Sequence, residues 1–295
     1  MRVEGEPILA VLGAINEDLV VSGAPLPRAG ETVTGGTFAQ HHGGKGGNQA
    51  VAAARVLGGG TVAMMGAVGD DQLGVSALEA LRADAVRTDQ VLVTSDQPTG
   101  VALIAVGPDG ENQISVAPGA NLALRPEHVV DALETLRPHL LLASLEVAER
   151  TIRAAVGWAR DHGVPVVLNP APFQPWVRHL LPLATYVTPN EGEFALLGDV
   201  AARVTIIETR GAEGARIHSD GAVEDVPAIR VDAVDTTGAG DCFNGVLAAG
   251  LVRDLPVRDA VQQANIAATL SVRVAGAREG MPTLDRLQEA LTATS

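Results

Sequence analysis

The stretch Asp235-Thr236-Thr237-Gly238-Ala239-Gly240-Asp241 places two carboxylates on either side of a turn of small residues, and an apolar run at 243–251 follows it. This pattern predicts a turn that opens a buried helix. The free backbone N–H groups of the first turn and the positive end of the helix dipole then converge beside Asp241 and favour an anion. An acid at such a place can take a proton from an attacking hydroxyl while the N–H groups stabilise a transferred phosphoryl group. Taken alone, the segment fits equally a helix N-terminus on which Asp241 is an acidic cap.

Composition and charge limit the class of partner. The chain has 295 residues, 46% hydrophobic content and a formal net charge of −14, which predict a globular protein that repels nucleic acid and anionic membranes. We therefore expect a small-molecule partner. Neither a signal-peptide pattern nor an apolar stretch of roughly 18 residues is present, so we expect a cytoplasmic protein. The single cysteine, Cys242, excludes a disulfide framework and a thiolate cluster for structural zinc.

Alternating apolar and amphipathic segments predict a mostly parallel sheet covered by helices. The predicted strands lie at 8–15, 61–66, 140–144, 164–169, 186–189 and 204–209. The predicted helices lie at 48–57, 72–83, 127–136, 148–162, 191–197, directly after Asp241, at 256–273 and at 284–292. Residues 20–38 and 99–116 instead carry short β segments between Pro, Gly and Asp, which predicts a small separate sheet. We expect one domain over 1–295, with a β-rich lid formed from about 16–41 and 99–117.

Polar residues that directly follow the predicted strands mark the sheet edge where α/β proteins bind ligands. They are Asn16, Asp18, Glu146, Asn169, Asn190, Glu191 and Glu193. Each alone is more often a solvated loop residue or a helix cap than a ligand contact. Their shared edge favours a binding site.

The glycine-rich stretch Gly43-Gly44-Lys45-Gly46-Gly47-Asn48-Gln49 is predicted as a loop that leads into a helix. Glycines let a backbone approach a ligand closely, and the Asn48 amide can donate and accept hydrogen bonds, as a sugar requires. It is not a Walker loop, because Lys45 is followed by glycine, and it is not a dinucleotide fingerprint, because it does not follow the first strand. The alternative is a tight, glycine-rich helix entry.

Eight short motifs together resemble the ribokinase/PfkB family of carbohydrate kinases, from about residue 8 to 282. They lie at 16–18 (Asn-Glu-Asp), 43–49, 99–102, 110–112, 118–121, 169–172, 189–191 and 235–241. The resemblance implies a three-layer α/β/α ribokinase-like fold with a mostly parallel central sheet and a small β-lid that pairs two subunits as a homodimer. It also implies ATP-dependent phosphorylation of the 5-hydroxyl of D-ribose, with Mg²⁺ and an activating K⁺.

Three alternatives remain beside that activity. One is a related kinase that acts on another small sugar or a nucleoside. Another is a non-catalytic sugar or nucleotide sensor on the same fold, which the intact turn and Asp241 disfavour. The third is an NAD(P)-binding oxidoreductase, which the missing glycine fingerprint after the first strand disfavours.

The resemblance further implies roles for individual residues. The catalytic base is Asp241, and the anion hole is formed by the N–H groups of Gly238, Ala239 and Gly240. Together with Asp241, the sugar-binding residues are Asn16, Asp18, Gly44, Lys45, Gly46, Gly47, Asn48 and Glu146, covered by the lid residues Ala102 and Ile114. The nucleotide-binding residues are Asn190, Thr209, Arg210, Gly211, Ala212, Glu213, Gly214, Gly240 and Asn265. Glu193 organises Mg²⁺ through water, and the K⁺ site comprises Asp235, Thr237, Ser271, Val274, Gly276 and Gly280.

The chain departs from the family pattern at two places. Residues 198–203 form a short connection where the family usually carries a further helix, so one face of the sheet should be thinly covered. Gly280 stands where relatives often supply a hydroxyl to the cation, so we expect weaker K⁺ binding, and a serine there should strengthen it.

For three further residues, a structural role is favoured over a functional one. Adjacent side chains on an extended chain point to opposite faces, so His41 and His42 are predicted to be loop residues and not a metal pair. Cys242, at a helix N-terminus, could have a lowered thiol pKa, but a small buried residue is the favoured interpretation.

Overall fold

An eight-stranded sheet forms the centre of the fold in the computed structural model, which describes residues 8–198 and 204–294. In spatial order its strands are Ala222–Val226 (β14), Ala215–Ser219 (β13), Thr205–Thr209 (β12), Tyr186–Val187 (β11), Val166–Asn169 (β10), Leu140–Ser144 (β9), Leu9–Leu12 (β1) and Val62–Met65 (β4). The strands from β4 to β12 in this order are parallel, and β13 and β14 continue the sheet in antiparallel pairs. The carboxyl ends of the parallel strands therefore share one edge.

Helices cover both faces of this sheet. The described residues form eight α-helices: Lys45–Leu57 (α1), Gln72–Ala83 (α2), Pro126–Leu136 (α3), Glu149–Asp161 (α4), Glu191–Leu197 (α5), Ala239–Leu251 (α6), Val257–Ser271 (α7) and Leu284–Thr294 (α8). Side chains of a strand alternate between faces, so Leu9 and Val11 pack in an apolar cluster with α1, α6 and α7, while Ala10 and Leu12 pack with α3 and α4. The predicted three-layer α/β/α architecture is confirmed.

A second sheet stands apart from the central one. Its strands are, in order, Thr37–Gly43 (β3), Asn16–Ser22 (β2), Gly100–Val106 (β7) and Asn112–Ala117 (β8). They lie within the lid segments predicted at 16–41 and 99–117, except for the last two residues of β3. Two short parallel strands, Ala67–Gly69 (β5) and Leu92–Thr94 (β6), form a third sheet.

The prediction that 43–49 is a loop is wrong, because α1 begins at Lys45 and includes Gly46 and Gly47. Gly44 precedes it at φ 82°, a conformation that favours glycine. At Gly46 a Cβ atom would lie 2.6 Å from the carbonyl carbon of Gly13, so this glycine lets the helix pack directly on the chain that follows β1. The observed strand β1, Leu9–Leu12, is shorter than the strand predicted at 8–15.

Two helices cross closely at a single glycine. Gly245 of α6 packs on α1, and a Cβ there would overlap the Gln49 carbonyl oxygen. This contact places the first turns of α1 and α6 side by side at the carboxyl edge of the sheet.

The hairpin of β13 and β14 was absent from the sequence-based assignment. Its two turn residues, Asp220 and Gly221, have φ values of 50° and 78°, as a type I′ turn requires. The predicted short connection falls largely on residues 199–203, which lie outside the described residues.

Candidate active site

Asp241 lies in the first turn of α6 and is held by two amide side chains of α1. Asn48 Nδ2 donates to Asp241 Oδ2 at 3.0 Å, and Gln49 Nε2 donates to Asp241 Oδ1 at 3.1 Å. Gly238 precedes the helix at φ 73° and packs so closely on Ala277 that a Cβ would lie 2.6 Å from its carbonyl oxygen. The sequence therefore fixes the carboxylate between two helices, in a turn that requires glycine.

The electrostatic surroundings of Asp241 suit a general base. Burial raises its pKa above the ordinary carboxyl value, while the Lys45 charge, the two amide donors and the Arg278 charge oppose this rise. A carboxylate with a raised pKa is a stronger proton acceptor, provided that it is ionised when the hydroxyl arrives. The opposing cation and donors keep the ionised form accessible.

The predicted anion-hole residues Gly238, Ala239 and Gly240 all lie at the start of α6. The Ala239 N–H donates to the Thr236 carbonyl at 3.2 Å, so in this structure that donor is engaged within the turn. Gly238 and Gly240 line a cavity of about 250 Å³ together with Asp241.

Charged residues of the predicted sugar side act on one another across this region. The Lys45 N–H donates to Glu146 Oε2 at 2.8 Å. Burial lowers the pKa of Lys45, but the charges of Asp241, Glu146 and Glu193 outweigh it and leave this pKa above its ordinary value. Burial raises the pKa of Glu146, and Lys45 opposes the rise. The structure thus brings a cation and several carboxylates of the predicted site together.

The lid carries the remaining predicted sugar contacts. Strand register pairs Asp18 with Ala102 and Ile114 with Ile104, so Ala102 and Ile114 lie on the face of the lid that carries Asp18. Asn16, at the base of the lid, is buried. Its Oδ1 accepts a hydrogen bond from Asn121 Nδ2 at 2.8 Å.

Two adjoining cavities extend from Asp241 towards the predicted nucleotide-binding residues. The first contains Lys45, Asn190 and Glu193 beside Asp241. The second, of about 240 Å³, contains Gly211, Ala212, Gly214 and Asn265 with an apolar wall that includes Ile229, Val231 and Phe243. Thr209, Thr236 and Gly240 line both cavities. The polar first cavity suits a phosphate chain, and the partly apolar second cavity suits the apolar face of a nucleotide's ring system.

Two predicted nucleotide residues point elsewhere. Arg210 and Glu213 pair with each other at 2.5 Å, and neither lines the second cavity. A larger cavity of about 740 Å³, lined by His139, Tyr186 and Leu255 among others, contains none of the predicted site residues and lies beyond the opposite, amino-terminal edge of the sheet.

Glu193 has the donor chemistry that Mg²⁺ requires. Its Oε2 accepts the Asn190 N–H at 2.9 Å, and its own N–H donates to Asn190 Oδ1 at 2.8 Å, a reciprocal cap at the start of α5. Burial raises the pKa of Glu193. A single carboxylate in a polar cavity suits an ion that keeps most of its water ligands.

Asp235 joins the turn before α6 to the segment after α7. Its carboxylate accepts hydrogen bonds from the N–H and hydroxyl of Thr237, at 2.9 and 2.7 Å, and from the Gly276 N–H at 2.9 Å. Burial raises the pKa of Asp235, but these donors outweigh it and hold this pKa below its ordinary value. Carboxylate and carbonyl oxygens in this region suit a hard cation.

The expectation that a serine at 280 would add a cation ligand meets an obstacle. A Cβ at Gly280 would overlap the Ser271 carbonyl oxygen, so a side chain there requires the two segments to separate. Within the described residues, no group of three or more His, Cys, Asp or Glu side chains could hold a metal ion.

Several residues of the site escaped the sequence-based assignment. Gln49 donates to both Asp241 and Asn169, and Arg278 donates to Asn48. Gln49 directly follows Asn48 and could have been suspected for that reason. Arg278 lies in a segment whose pattern carries no signal for a buried guanidinium.

The remaining side chains of interest are structural. His41 Nδ1 lies 3.0 Å from Glu279 Oε1 and His42 Nδ1 lies 2.6 Å from Glu17 Oε1, so the two histidines of β3 point to opposite faces as expected. They are strand residues, not loop residues. Burial raises the pKa of the Cys242 thiol to about 12, which agrees with a small buried residue and excludes a reactive thiolate.

Comparison with known proteins identifies the class to which this fold and site belong. Residues 8–284 match the family model described as pfkB family carbohydrate kinase. The chain belongs to this family.

Individual relatives are similar over almost the whole chain. Ribokinase of Bacillus subtilis (strain 168) is 38% identical over 296 residues, which cover 96% of this chain and 99% of that protein. The solved structure of ribokinase from Giardia lamblia has a TM-score of 0.90 at 27% identity and covers 99% of this chain and 100% of that chain. Arabidopsis thaliana ribokinase complexed with ribose and ATP has a TM-score of 0.86 at 27% identity, covering 97% and 99%.

Proposed function

We propose that the chain is a ribokinase, which transfers the γ-phosphoryl group of ATP to the 5-hydroxyl of D-ribose. The observation that carries the proposal is the placement of Asp241, held by Asn48 and Gln49, in the wall of a cavity that adjoins a second, partly apolar one. A base on the acceptor side and a nucleotide space on the other side of one helix N-terminus are the arrangement that in-line transfer requires. The ribokinase relatives support ribose as the acceptor.

In this proposal each part of the site has one task. Asn16, Asp18, Asn48 and Glu146 bind sugar hydroxyls, because carboxylates accept hydrogen bonds and amides both accept and donate. Asp241 accepts the proton of the attacking hydroxyl. The N–H groups of Gly238, Ala239 and Gly240 stabilise the charge on the transferred group, which for Ala239 requires a small change in the turn.

Mg²⁺ and K⁺ complete the proposed site. Glu193 and its cavity would hold hydrated Mg²⁺, which supplies positive charge to the phosphate oxygens. Asp235, Thr237, Ser271, Val274, Gly276 and the segment to Gly280 would hold K⁺ mainly through carbonyl oxygens. Such an ion beside the turn would help to orient the N–H groups of the anion hole.

The lid is proposed to cover the sugar, exclude water and pair two subunits. Its support is the row of apolar side chains that the sheet leaves exposed, including Val21, Phe38 and Leu103 on one face. A single domain over 1–295, a homodimer and a cytoplasmic location complete the proposal. No helix in the described part of the chain is long and apolar enough to cross a membrane.

The test is a panel assay of ADP release with ATP and Mg²⁺, against pentoses, hexoses and nucleosides. We expect ribose to have the highest kcat/KM and the product to carry phosphate on the 5-oxygen, as shown by phosphorus NMR. A higher kcat/KM for another sugar or a nucleoside would refute ribose as the acceptor. The absence of turnover with every acceptor would refute a kinase and favour a sensor.

A further inference from the structure

Arg278 is a buried cation directly behind the sugar side of the site. The residue is 6% exposed, its Nε donates to Asn48 Oδ1 at 2.8 Å, and its Nη2 donates to the Gly43 carbonyl at 3.0 Å. Nη1 is buried without a hydrogen-bond partner among the described residues. A buried guanidinium with incomplete hydrogen bonding costs stability, so its presence calls for a functional reason.

The hydrogen bond from Arg278 fixes the orientation of the Asn48 amide. Guanidinium nitrogens only donate, so the Asn48 oxygen must face Arg278 and the Asn48 nitrogen must face the other way. That nitrogen is the one that donates to Asp241 Oδ2 at 3.0 Å. A reversed amide would place two donors against each other at Arg278 and two acceptors at Asp241. Two hydrogen bonds with fixed donors and acceptors therefore connect Arg278 through Asn48 to the proposed base.

The glycine-rich segment makes room for this guanidinium. A Cβ at Gly47 would lie 2.5 Å from Arg278 Nη2. The Asp18 carboxylate lies against the Cα of Gly43, and a Cβ there would overlap it. Because the Gly43 carbonyl accepts the hydrogen bond from Nη2, both Arg278 and Asp18 contact this one residue. Two of the glycines that the sequence presents as a ligand loop are thus explained by Arg278 and Asp18.

We propose that Arg278 is a positioning residue for the sugar acceptor, which orients Asn48 towards Asp241 and supplies a fixed positive charge beside Asp18. The inference rests on the proposed sugar kinase activity and adds a residue to which that proposal gives no role. Arg278 acts through Asn48 and Asp18 and makes no contact with the reacting atoms.

The charge of Arg278 bears on Asp18 as a hydrogen-bond acceptor. Burial raises the pKa of Asp18 to about 6, Glu17 and Asp241 add to the rise, and Arg278 and His41 oppose it. Without the Arg278 charge, a larger fraction of Asp18 is protonated at neutral pH. A protonated carboxyl group accepts sugar hydroxyls less well, so the sugar KM should rise.

Three substitutions separate the two parts of the proposal. Arg278→Met removes the donor and the charge, Arg278→Gln keeps a donor without charge, and Arg278→Lys keeps the charge without the planar fork. For Arg278→Met we expect kcat/KM for the sugar to fall about 10- to 100-fold, as for the loss of a charged hydrogen bond, with the KM for ATP unchanged. Arg278→Gln should recover kcat more than the sugar KM, and Arg278→Lys should recover the sugar KM more than kcat.

Arg253→Met is the matched control. Arg253 is an exposed arginine that, like Arg278, donates to backbone carbonyls, those of Val56 and Leu57 at 2.7 and 3.3 Å, at the far end of α1 from the site. It should lose stability without a change in kcat or in either KM. Thermal melting and calorimetric sugar binding without ATP accompany each variant, and if Arg278→Met does not fold, the Gln and Lys variants carry the test.

The failure of the proposed function is distinguishable from the failure of this inference. The wild-type chain is assayed first. If another sugar has a higher kcat/KM than ribose, the proposed acceptor is refuted, and the Arg278 variants are then compared with that sugar. The positioning role is refuted if folded Arg278→Met keeps kcat and the sugar KM within about threefold of wild type. It is also refuted if the Gln and Lys variants both show a lower kcat and equal rises in the sugar KM and the ATP KM, which is the result expected when a purely structural residue is replaced.

Discussion

Replacement of Asp241 by asparagine should abolish most turnover and leave one buried amide donor without its acceptor. Loss of the proton acceptor is expected to lower kcat by about 10²–10⁴. The second effect follows from the two amides, which donate to separate oxygens at 3.0 and 3.1 Å, whereas an asparagine offers one oxygen. One buried donor then faces an NH₂ group, at a cost of about 1–3 kcal/mol that opposes the gain from removing a buried charge. Asn48 cannot turn to relieve this, because Arg278 occupies its oxygen.

The assay has three parts. ADP release gives kcat, calorimetry gives the ribose affinity without ATP, and urea unfolding gives the free energy of unfolding. Asp71→Asn is the control, because the two Asp71 oxygens accept from the Gly74 and Thr99 N–H groups at 2.8 Å each. An asparagine offers one oxygen, so one of these N–H groups would face an NH₂ group, which should destabilise the fold without removing turnover. A folded Asp241→Asn protein with kcat within tenfold of wild type would refute Asp241 as the general base.

The pH profile tests the same assignment independently. The base must be ionised, so kcat/KM should fall as the pH falls through its pKa in the free enzyme. Asp18→Asn is profiled beside the wild type, because protonation of Asp18 near pH 6 also raises the sugar KM. Burial raises the pKa of Asp241, so this acid limb should lie above the ordinary aspartate value of about 3.9. An acid limb at or below that value would contradict the raised pKa of Asp241.

Three further outcomes are expected. Phe38→Asp, which places a charge on the exposed apolar surface of the lid, should shift a dimer towards monomer in light scattering, and a wild-type monomer with full activity at micromolar concentration would refute lid pairing. Asp18→Asn should raise the sugar KM yet stabilise the fold, because burial raises the Asp18 pKa from 3.8 to about 6 and the ionised form therefore costs about 3 kcal/mol at pH 7.5. This gain should shrink as the pH falls from 6 to 4, and urea unfolding at pH 7.5 that shows no gain would contradict it. Potassium should raise kcat when tetramethylammonium is the balancing ion that keeps the ionic strength constant. A kcat that does not change with the potassium concentration would refute the cation site. A lower half-activating potassium concentration in Gly280→Ser would contradict the overlap with Ser271.

The turn at 235–241 and a mostly parallel sheet covered by helices could be predicted because each rests on local patterns, whereas the three-layer fold was implied by the family resemblance. Small residues beside Asp241 specify a helix N-terminus, and buried alternating segments specify a parallel sheet. The lid could be located because its segments lack helical periodicity. The start of α1 could not, because Gly46 and Gly47 are poor helix formers and only their packing against Gly13 and Arg278 explains them.

The support of the site depends on contacts distant in sequence, which a local pattern does not contain. Arg278 lies 230 residues from Asn48, and Asn121 lies 105 residues from Asn16. Nothing in the neighbourhood of either residue indicates its partner. The hairpin turn Asp220-Gly221 is different, because Asp-Gly is itself a local pattern that favours a type I′ turn.

The contact of Gly245 with α1 limits how such an enzyme can change its preferred acceptor. Because the α6 glycine packs directly on the α1 backbone at that point, Asn48, the proposed sugar-binding residue, and Asp241, the proposed base, are held in one packed unit. A substitution that shifts α1 to suit a new acceptor also displaces the base. The lid strands are not subject to this restraint, since they form a separate sheet. Laboratory evolution towards other sugars should therefore accumulate its tolerated changes in β2, β7 and β8.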